Sequence, residues 1–594
     1  MTAATPAPAR RRPGGRRRGL LRYALAAGFG LALAGLLWVA VTAALARQHA
    51  QAAEQAVSGL RTAISEADLP AARSAAGSVA GHARAAHRLT TGPAWWAGAQ
   101  LPWLGGPARS IRGCAAQADQ LASTVLMPLA ALAETMPLGG LVDHGSVRLQ
   151  PLVDAAPVLR RADLRLRAGS DQLDRLPRDT WLAPADRARD RLYRALLAFG
   201  DQLRPVSQLT EALPDLLGRD GSKRYFVGLE NEAESRGVGG IPGAFAIVTA
   251  SAGKLSFDRF ESDTVLSKVR TGLDLGAEYD RRYRAADPVN TYANSTISPD
   301  FSDAARIWAA MWHKHSGQRI DGALAIDPTA ISYLLRVTGP ATLADGSRVS
   351  AAEVVSLTQE TLYRTHPDKA ARKAYLLDIA RAISVRLLTV HGSAGLVRAV
   401  THATGERRLV AWSADPALQQ QLVAASVSGT LEPGAGYFAG FSTVNATGGK
   451  LDYYLTRSMS YARDGCGAGS TSTSTFTLAN QAPAGPLPSY VTLRLDAPRH
   501  PTRPGDNKVL LSYYGTPGSR IGSVTVDGRP VVVAPSTERG LTVLTLPLEL
   551  ARGSKHTVTV TATEPARANQ TRILRQPAVN PVTVTTRLPD CGGS

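Results

Sequence analysis

The feature that most constrains this chain is an apolar stretch near its N-terminus. Residues 23–45 contain only hydrophobic residues and glycines apart from Thr42. A helix needs about 20 apolar residues to cross the hydrocarbon core of a bilayer. Residues 23–46 are therefore predicted to form a transmembrane helix that contacts the lipid bilayer directly.

The residues before this stretch predict its orientation. Residues 1–22 contain seven arginines and no acidic residue. They are Arg10, Arg11, Arg12, Arg16, Arg17, Arg18 and Arg22. Since positively charged flanks stay in the cytoplasm, we expect a basic cytoplasmic tail and a single-pass protein of the cell membrane whose bulk is extracytoplasmic. A cleaved signal peptide is the alternative, but its apolar core is typically about 7–15 residues. Whether the helix is cleaved stays open.

The charge balance limits the classes of partner. Lys and Arg number 67 against 48 Asp and Glu, a net charge of +19. Beside a spanning helix, an arginine cluster is typical of a topology signal or of contact with anionic lipid, so no nucleic-acid partner is predicted. The mild excess in the remaining chain fits either a GC-rich genome or a surface that faces phosphate-bearing polymers.

Residues 47–215 are predicted to form a helical stalk. Ala, Leu, Gln, Arg and Glu dominate this region, and Asp68 with Pro70 indicates a helix break followed by a new start. The returning helix leads to Trp95, Trp96 and Trp103, which either lie near the bilayer surface or pack the elbow between helices. No residue here carries chemistry, so we expect a spacer or a bundle that binds other envelope proteins.

Residues 216–412 are predicted to form a central α/β or α+β domain, because strand patterns alternate with helices. Expected strands lie at 225–229, 244–249, 255–260 and 322–327, and a charged loop is expected at 230–236. An amphipathic helix is predicted over 371–390. The glycines at 237–243 do not indicate a dinucleotide site, because a strand rather than a helix follows them.

A set of motifs in this domain resembles a known family. The motifs are Arg224-Tyr225-Phe226-Val227, Asn231, Glu234, Arg236, Gly239-Gly240, Gly243, Gly253-Lys254, Asp321-Gly322, Ile326-Asp327-Pro328 and Thr338-Gly339-Pro340. Together they resemble the envelope family catalogued as domain of unknown function 4012. The family name implies no activity.

The order of elements is more distantly similar to that of the LytR-CpsA-Psr phosphotransferases, which move glycopolymers from polyprenyl pyrophosphate onto peptidoglycan. The resemblance implies a pyrophosphate-binding set of guanidinium groups, which hold phosphate oxygens bidentately: Arg236, Arg259, Arg364 and Arg372. It also implies Asp263 and Asp368 as catalytic residues, with Asp263 as the ligand of a divalent cation such as magnesium.

Two departures from the transferase pattern leave the enzyme question open. Ser262 stands where that family has an arginine, and the loop at 230–236 carries Glu230, Glu232 and Glu234, which would repel a pyrophosphate. The same arginines and aspartates could equally form surface ion pairs.

Residues 413–594 are predicted to form a C-terminal β-sandwich, because about seven short alternating runs are separated by turn sequences. Cys466 and Cys591 are predicted to form a disulfide, which is favoured outside the cell. Cys114 would then be left over, and its state stays open.

The sequence therefore predicts a multidomain envelope protein that assembles or binds surface glycopolymer through contact with an anionic polymer or polyprenyl pyrophosphate. The alternative is a non-catalytic scaffold that recruits envelope partners.

Overall fold

The computed structural model describes residues 15–65, 68–136, 140–390, 394–589 and 591, so the first 14 residues of the predicted basic tail lie outside it. The chain is multidomain and divides into two compact units. The first comprises Met1–Met136 and Ala155–Ser207, and the second comprises Pro137–Asp154 and Gln208–Ser594.

The first unit begins with α1 (Gly15–Ser65), a helix of 51 residues. Within the described residues, it is the one helix that contains a segment, Ala26–Ala63, long and apolar enough to cross a membrane. Large apolar side chains along this segment are exposed, including Phe29, Leu33 and Leu37. Length, composition and exposure together are what a membrane-spanning helix requires.

The helix α2 (Leu69–Thr90) returns along α1. Asp68 caps it by accepting a hydrogen bond from the Ala71 amide at 3.0 Å, and Pro70 lies in the first turn, as predicted. Small alanine side chains on the buried face of α2 allow a close approach to α1, and the Nδ1 atoms of His49 and His82 lie 3.1 Å apart. The two helices therefore form a tight antiparallel hairpin.

The remaining helices of this unit complete a bundle. They are α3 (Pro93–Gly98), α4 (Gly105–Leu121), α5 (Met127–Thr135), α6 (Gln150–Asp174) and α7 (Ala183–Leu216), with a π-helical turn at Ala122–Leu126. The helix α6 begins in the second unit, and α7 ends there. Leu121, Val125, Leu159, Leu166 and Leu196 share one core.

The second unit contains a mixed sheet of seven strands in the order β1-β2-β5-β4-β3-β6-β9. Its strands are β1 (Val142–Asp143), β2 (Ser146–Val147), β3 (Lys223–Ser235), β4 (Gly240–Ser251), β5 (Lys254–Ser262), β6 (Gly322–Ile326) and β9 (Leu409–Ser413). Within this sheet β3 and β6 are parallel, and the other neighbouring pairs are antiparallel.

Helices cover the sheet. They are α8 (Ala277–Tyr283), α9 (Phe301–Ser316), α10 (Pro328–Thr338), α11 (Val354–Ser356), α12 (Leu362–Thr365), α13 (Lys369–Leu388), α14 (Ala394–Gly405) and α15 (Pro416–Ala424). A two-stranded ribbon of β7 (Ala341–Thr342) and β8 (Arg348–Val349) precedes α11, and a π-helical turn at Leu357–Thr361 follows it.

One face of the sheet packs on α9. Phe226, Phe245, Trp308 and Trp312 form the centre of this core. A Cβ atom at Gly228 would lie 2.4 Å from the ring of Trp308, so only glycine lets the helix approach β3 this closely. The opposite face, towards α13, holds the candidate site.

The C-terminal part contains a five-stranded sheet, β16-β17-β13-β10-β19, and a six-stranded sheet, β15-β14-β18-β12-β11-β20. The strands are β10 (Gly436–Asn445), β11 (Leu455–Arg463), β12 (Thr471–Asn480), β13 (Asn507–Gly515), β14 (Arg520–Val526), β15 (Arg529–Pro530), β16 (Ser536–Glu538), β17 (Leu541–Leu550), β18 (Lys555–Thr563), β19 (Ala568–Leu574) and β20 (Thr583–Arg587). Both sheets contribute to one apolar core that includes Phe441, Phe476 and Tyr513.

A disulfide joins Cys466 to Cys591, whose Cα atoms are 5.8 Å apart. It holds the end of the chain beside β11, to which β20 pairs in parallel. The third cysteine, Cys114, is a free thiol in the helical bundle, and burial raises its pKa to about 11. Such a thiol is unreactive at neutral pH.

Candidate functional site

The four arginines expected to bind pyrophosphate do not form an open phosphate site. Arg259 is mostly exposed on β5 and lies 3.6 Å from Glu261. Arg364, also exposed, pairs with Glu360 at 2.8 Å, one helical turn away. Both contacts are the surface ion pairs that the sequence left open as the alternative.

The other two arginines are buried. Arg236 pairs with Glu234 at 2.8 Å. The Arg372 guanidinium lies 4.9 Å from the ring centre of Tyr363 and 4.6 Å from that of Tyr490, and it donates to the carbonyl of His366 at 2.8 Å. Because these protein groups surround each guanidinium, neither presents the open donor fork that a phosphate needs.

The two predicted aspartates also have local roles. Asp368 caps the N-terminus of α13 by accepting a hydrogen bond from the Ala371 amide at 2.7 Å. Asp263 forms an ion pair with Lys373 of α13. Within the described residues, no group of three or more His, Cys, Asp and Glu side chains is placed to hold a metal ion. The predicted magnesium site at Asp263 therefore has no cluster of ligands around it.

The prediction of a charged loop at 230–236 is wrong, because most of this segment continues a strand. Glu230, Glu232 and Glu234 continue β3, and all three are at least nine-tenths buried. Cations and an amide from distant parts of the chain satisfy the carboxylates of Glu232 and Glu234, whose burial is otherwise costly.

Two of these glutamates have close cationic partners. Glu232 lies 3.2 Å from Arg408, and Glu234 lies 2.6 Å from Lys450 in addition to its contact with Arg236. Burial alone would raise the pKa of Glu234, but Lys450 and Arg236 together hold that pKa below its ordinary value. Both carboxylates belong to a buried ion network rather than to a surface that meets a ligand.

A cavity of about 90 Å³ lies on the sheet face opposite α9. Its floor is a row of four directly paired residues on four neighbouring strands: Ile326 on β6, Leu229 on β3, Ala244 on β4 and Ser262 on β5. Such paired residues point to the same side of a sheet. We call this cavity the slot.

The wall of the slot is helical. It comes from α10, α11, the π-helical turn and α13: Pro328, Ile331, Val354, Thr358, Lys373, Leu376, Ile379, Ala380 and Ile383. Nearly all of these side chains are apolar. The partly exposed pair of Lys373 and Asp263 supplies charge at the same place. The slot is thus a narrow apolar site with a cationic side chain in its lining.

Glu230 gives the slot one unusual polar group. Its Oε2 accepts a hydrogen bond from the Gly240 amide at 3.2 Å, while its Oε1 has no hydrogen-bond partner among the described residues. Burial raises the pKa of this carboxyl to about 8, and the negative charge of Asp327 adds to the effect. At neutral pH the carboxyl is therefore mostly protonated.

Asn231, at the same end of the slot, is the second polar group. Its side-chain amide donates to the Tyr363 hydroxyl at 3.0 Å. The slot combines an apolar floor and wall with a neutral acid, an amide and a lysine. That arrangement suits a ligand with an apolar segment and a polar, anionic end.

The sequence identified only part of this site. The helix predicted over 371–390 corresponds to α13, whose apolar face supplies Leu376, Ile379 and Ile383 to the slot. The floor residues were not recognised, because the signal lies in strand register rather than in spacing along the chain. Lys373 could have been found from its position beside the apolar face of α13.

The fold and slot define a multidomain protein with an apolar N-terminal helix and a central mixed sheet that carries a small, mostly apolar cavity. Residues 220–363 match the model of the family described as Protein of unknown function (DUF4012). This match supports the predicted membership of that family for the segment containing β3 to β8. No curated protein and no solved structure matched the chain in our comparisons.

Proposed function

We propose that this chain is an envelope protein held in the cell membrane by residues 23–46, with its N-terminus cytoplasmic and its bulk outside. Its role would be in surface glycopolymer assembly, through binding of a polyprenyl-linked ligand in the slot. The seven arginines before the apolar helix support the orientation. A LytR-CpsA-Psr-like central domain and a C-terminal β-sandwich are the fold assignments that accompany this proposal.

The observation that carries the proposal is the chemistry of the slot. An isoprenoid segment would contact the row formed by Leu229, Ala244 and Ile326. A phosphate at its end would attract Lys373 away from its pairing with Asp263. One apolar surface and one cationic side chain in its lining support this ligand class.

The size of the slot sets a condition on binding. An apolar cavity of about 150 Å³ accommodates benzene, whereas the slot measures about 90 Å³. Only a few carbon atoms fit unless the wall moves. Part of that wall consists of the short helix α11 and the π-helical turn, and π-helical segments are frequent at functional sites. We expect the slot to widen there.

Binding without group transfer has more support than catalysis. The four arginines that would hold a transferred pyrophosphate are engaged by protein groups, as described above. The same observation favours the second candidate, a non-catalytic scaffold that recruits envelope partners. The two candidates differ in whether the slot takes a ligand.

The test uses the full chain in detergent micelles, titrated with a polyprenyl phosphate and observed by native mass spectrometry. Ala380→Leu places three extra carbons in the slot and should weaken binding about tenfold or more. Ala374→Leu is the matched control, because Ala374 is exposed on the same helix. Filling a cavity tends to stabilise a protein, so the loss should occur without a lower melting temperature.

A second comparison tests the polar end. Lys373→Met should reduce the affinity for polyprenyl phosphate to that for the uncharged polyprenol, which lacks the phosphate. Equal binding by the wild type, Ala380→Leu and Lys373→Met would remove the slot as a ligand site and leave the scaffold.

A further inference from the structure

Beyond α1, the helical bundle of the first unit exposes three tryptophans. The side chains of Trp96, Trp103 and Trp181 are 62%, 62% and 61% exposed, and Leu101 beside them is 43% exposed. Large aromatic side chains are rarely exposed in groups on a water-facing surface. Such a group indicates contact with another phase or with a partner.

The three indoles belong to one elbow of the chain. Trp96 lies in α3, and Trp103 lies in the turn between α3 and α4. The Trp181 indole donates a hydrogen bond to the Trp103 carbonyl, although the two residues are 78 positions apart. The loop before α7 is thereby held against the same turn. The sequence alone gave no reason to group Trp181 with the other two.

The fourth tryptophan fixes the position of this elbow along α1. Trp95 is 1% exposed, and its indole donates to the Thr42 hydroxyl at 2.9 Å. It also packs against Val39 and Ala43 of α1. Trp95 is thus the residue that packs the elbow, while its neighbours face outward.

The contact with α1 places the elbow at a definite depth. Thr42 lies 19 residues beyond Tyr23, where the apolar stretch begins. At 1.5 Å per residue the distance is roughly 29 Å, close to the hydrocarbon thickness of about 30 Å. If the apolar stretch enters the hydrocarbon at Tyr23, Thr42 lies where α1 leaves it.

Trp96, Trp103 and Trp181 are on the elbow held at that level. The boundary between hydrocarbon and water is where indole rings are most favoured, because the ring is apolar and its N–H can still reach water or headgroups. The depth of the elbow and the chemistry of its exposed side chains therefore agree.

We propose that the surface formed by Trp96, Leu101, Trp103 and Trp181 is a membrane-interface contact. It inserts into the headgroup region of the leaflet from which α1 emerges and fixes the depth and orientation of the helical bundle on the bilayer. The occupant of this surface is lipid, because the elbow packs against the end of the apolar segment of α1, along which Phe29, Leu33 and Leu37 are exposed. The slot lies in the other unit, so this contact does not depend on it.

The test is fluorine NMR of the full chain in lipid nanodiscs, with 5-fluorotryptophan at all eight tryptophan positions. Single Trp→Phe variants assign the resonances. A lipid with a paramagnetic headgroup should broaden the signals of Trp96, Trp103 and Trp181. The buried Trp308 and Trp312, 0% and 2% exposed, provide the unaffected reference within the same molecule.

A water-soluble paramagnetic chelate separates the remaining outcomes. Broadening of the three signals by the chelate but not by the lipid label would place the indoles in water and overturn the proposal. Insensitivity to both agents would show that a protein partner or a second copy covers the surface, which would overturn it equally. Trp38, 60% exposed within the apolar stretch, should respond to a label on the acyl chains instead.

Discussion

The protonation state of Glu230 is the property of the slot that can be tested most directly. The carboxyl is buried, and its pKa is raised from 4.5 to about 8. Each unit of pKa corresponds to about 1.4 kcal/mol. Holding Glu230 as a buried carboxylate therefore costs the folded protein about 5 kcal/mol relative to an exposed glutamate.

The sign of the pH dependence follows from linkage. Between pH 4.5 and about 8 the folded protein keeps a proton on Glu230 that the unfolded chain releases. The free energy of unfolding should therefore fall as the pH rises through this interval, and it should level off above it. Glu230→Gln removes the titration while keeping the shape of the side chain, so this part of the pH dependence should disappear.

The assay is amide hydrogen exchange of β3 and β4 in the full chain, corrected for intrinsic exchange rates. At pH 9 the Glu230→Gln variant should be more protected than the wild type, by up to about a thousandfold. At pH 5 the difference should be small or reversed, because the neutral acid is then present in the wild type. Glu432→Gln is the control, since Glu432 is exposed.

Parallel pH profiles for wild type and Glu230→Gln would refute the reasoning. Glu230 would then be ionised at neutral pH, and the slot would be too polar or too wet to raise its pKa.

Two further perturbations address the buried network and the disulfide. Arg408→Ala leaves Glu232 and Asp327 buried without their cation and should lower the free energy of unfolding by about 3–5 kcal/mol. The loss should be seen as faster hydrogen exchange in β6. Unchanged exchange would mean that the network is not energetically coupled to the sheet. Cys591→Ser opens a disulfide that spans 125 residues, for which chain entropy predicts a loss of about 4–5 kcal/mol in the free energy of unfolding. Amide protection should fall first in β20. Unchanged hydrogen exchange in β20 would contradict this prediction.

The helices could be predicted where local signals decide them. Asp68 and Pro70 specify the start of α2 through capping and a fixed φ angle, and the periodicity of 371–390 specifies α13. These signals act within one or two helical turns, so an isolated sequence contains all the information they need.

The acidic part of β3 could not be predicted by the same means. Local composition favours a loop for Glu230, Glu232 and Glu234, and only their partners reverse that preference. Arg408 is 176 residues from Glu232, and Lys450 is 216 residues from Glu234. The resemblance likewise supplied the residue type of the four arginines but not the acidic or aromatic neighbours that surround them in the structure.

The buried glutamates of the central domain take their cations from later parts of the chain. The family match ends at residue 363, whereas Arg408 and Lys450 lie beyond it, and Lys450 lies between the strands β10 and β11 of the C-terminal sheets. The matched segment thus contains buried acids whose cations belong to later parts of the chain. Because unpaired buried charge is strongly destabilising, the central sheet and the C-terminal sheets must fold together. Glu230 and Glu234 lie on the same strand, so the lining of the slot and the packing of the C-terminal sheets are joined through β3.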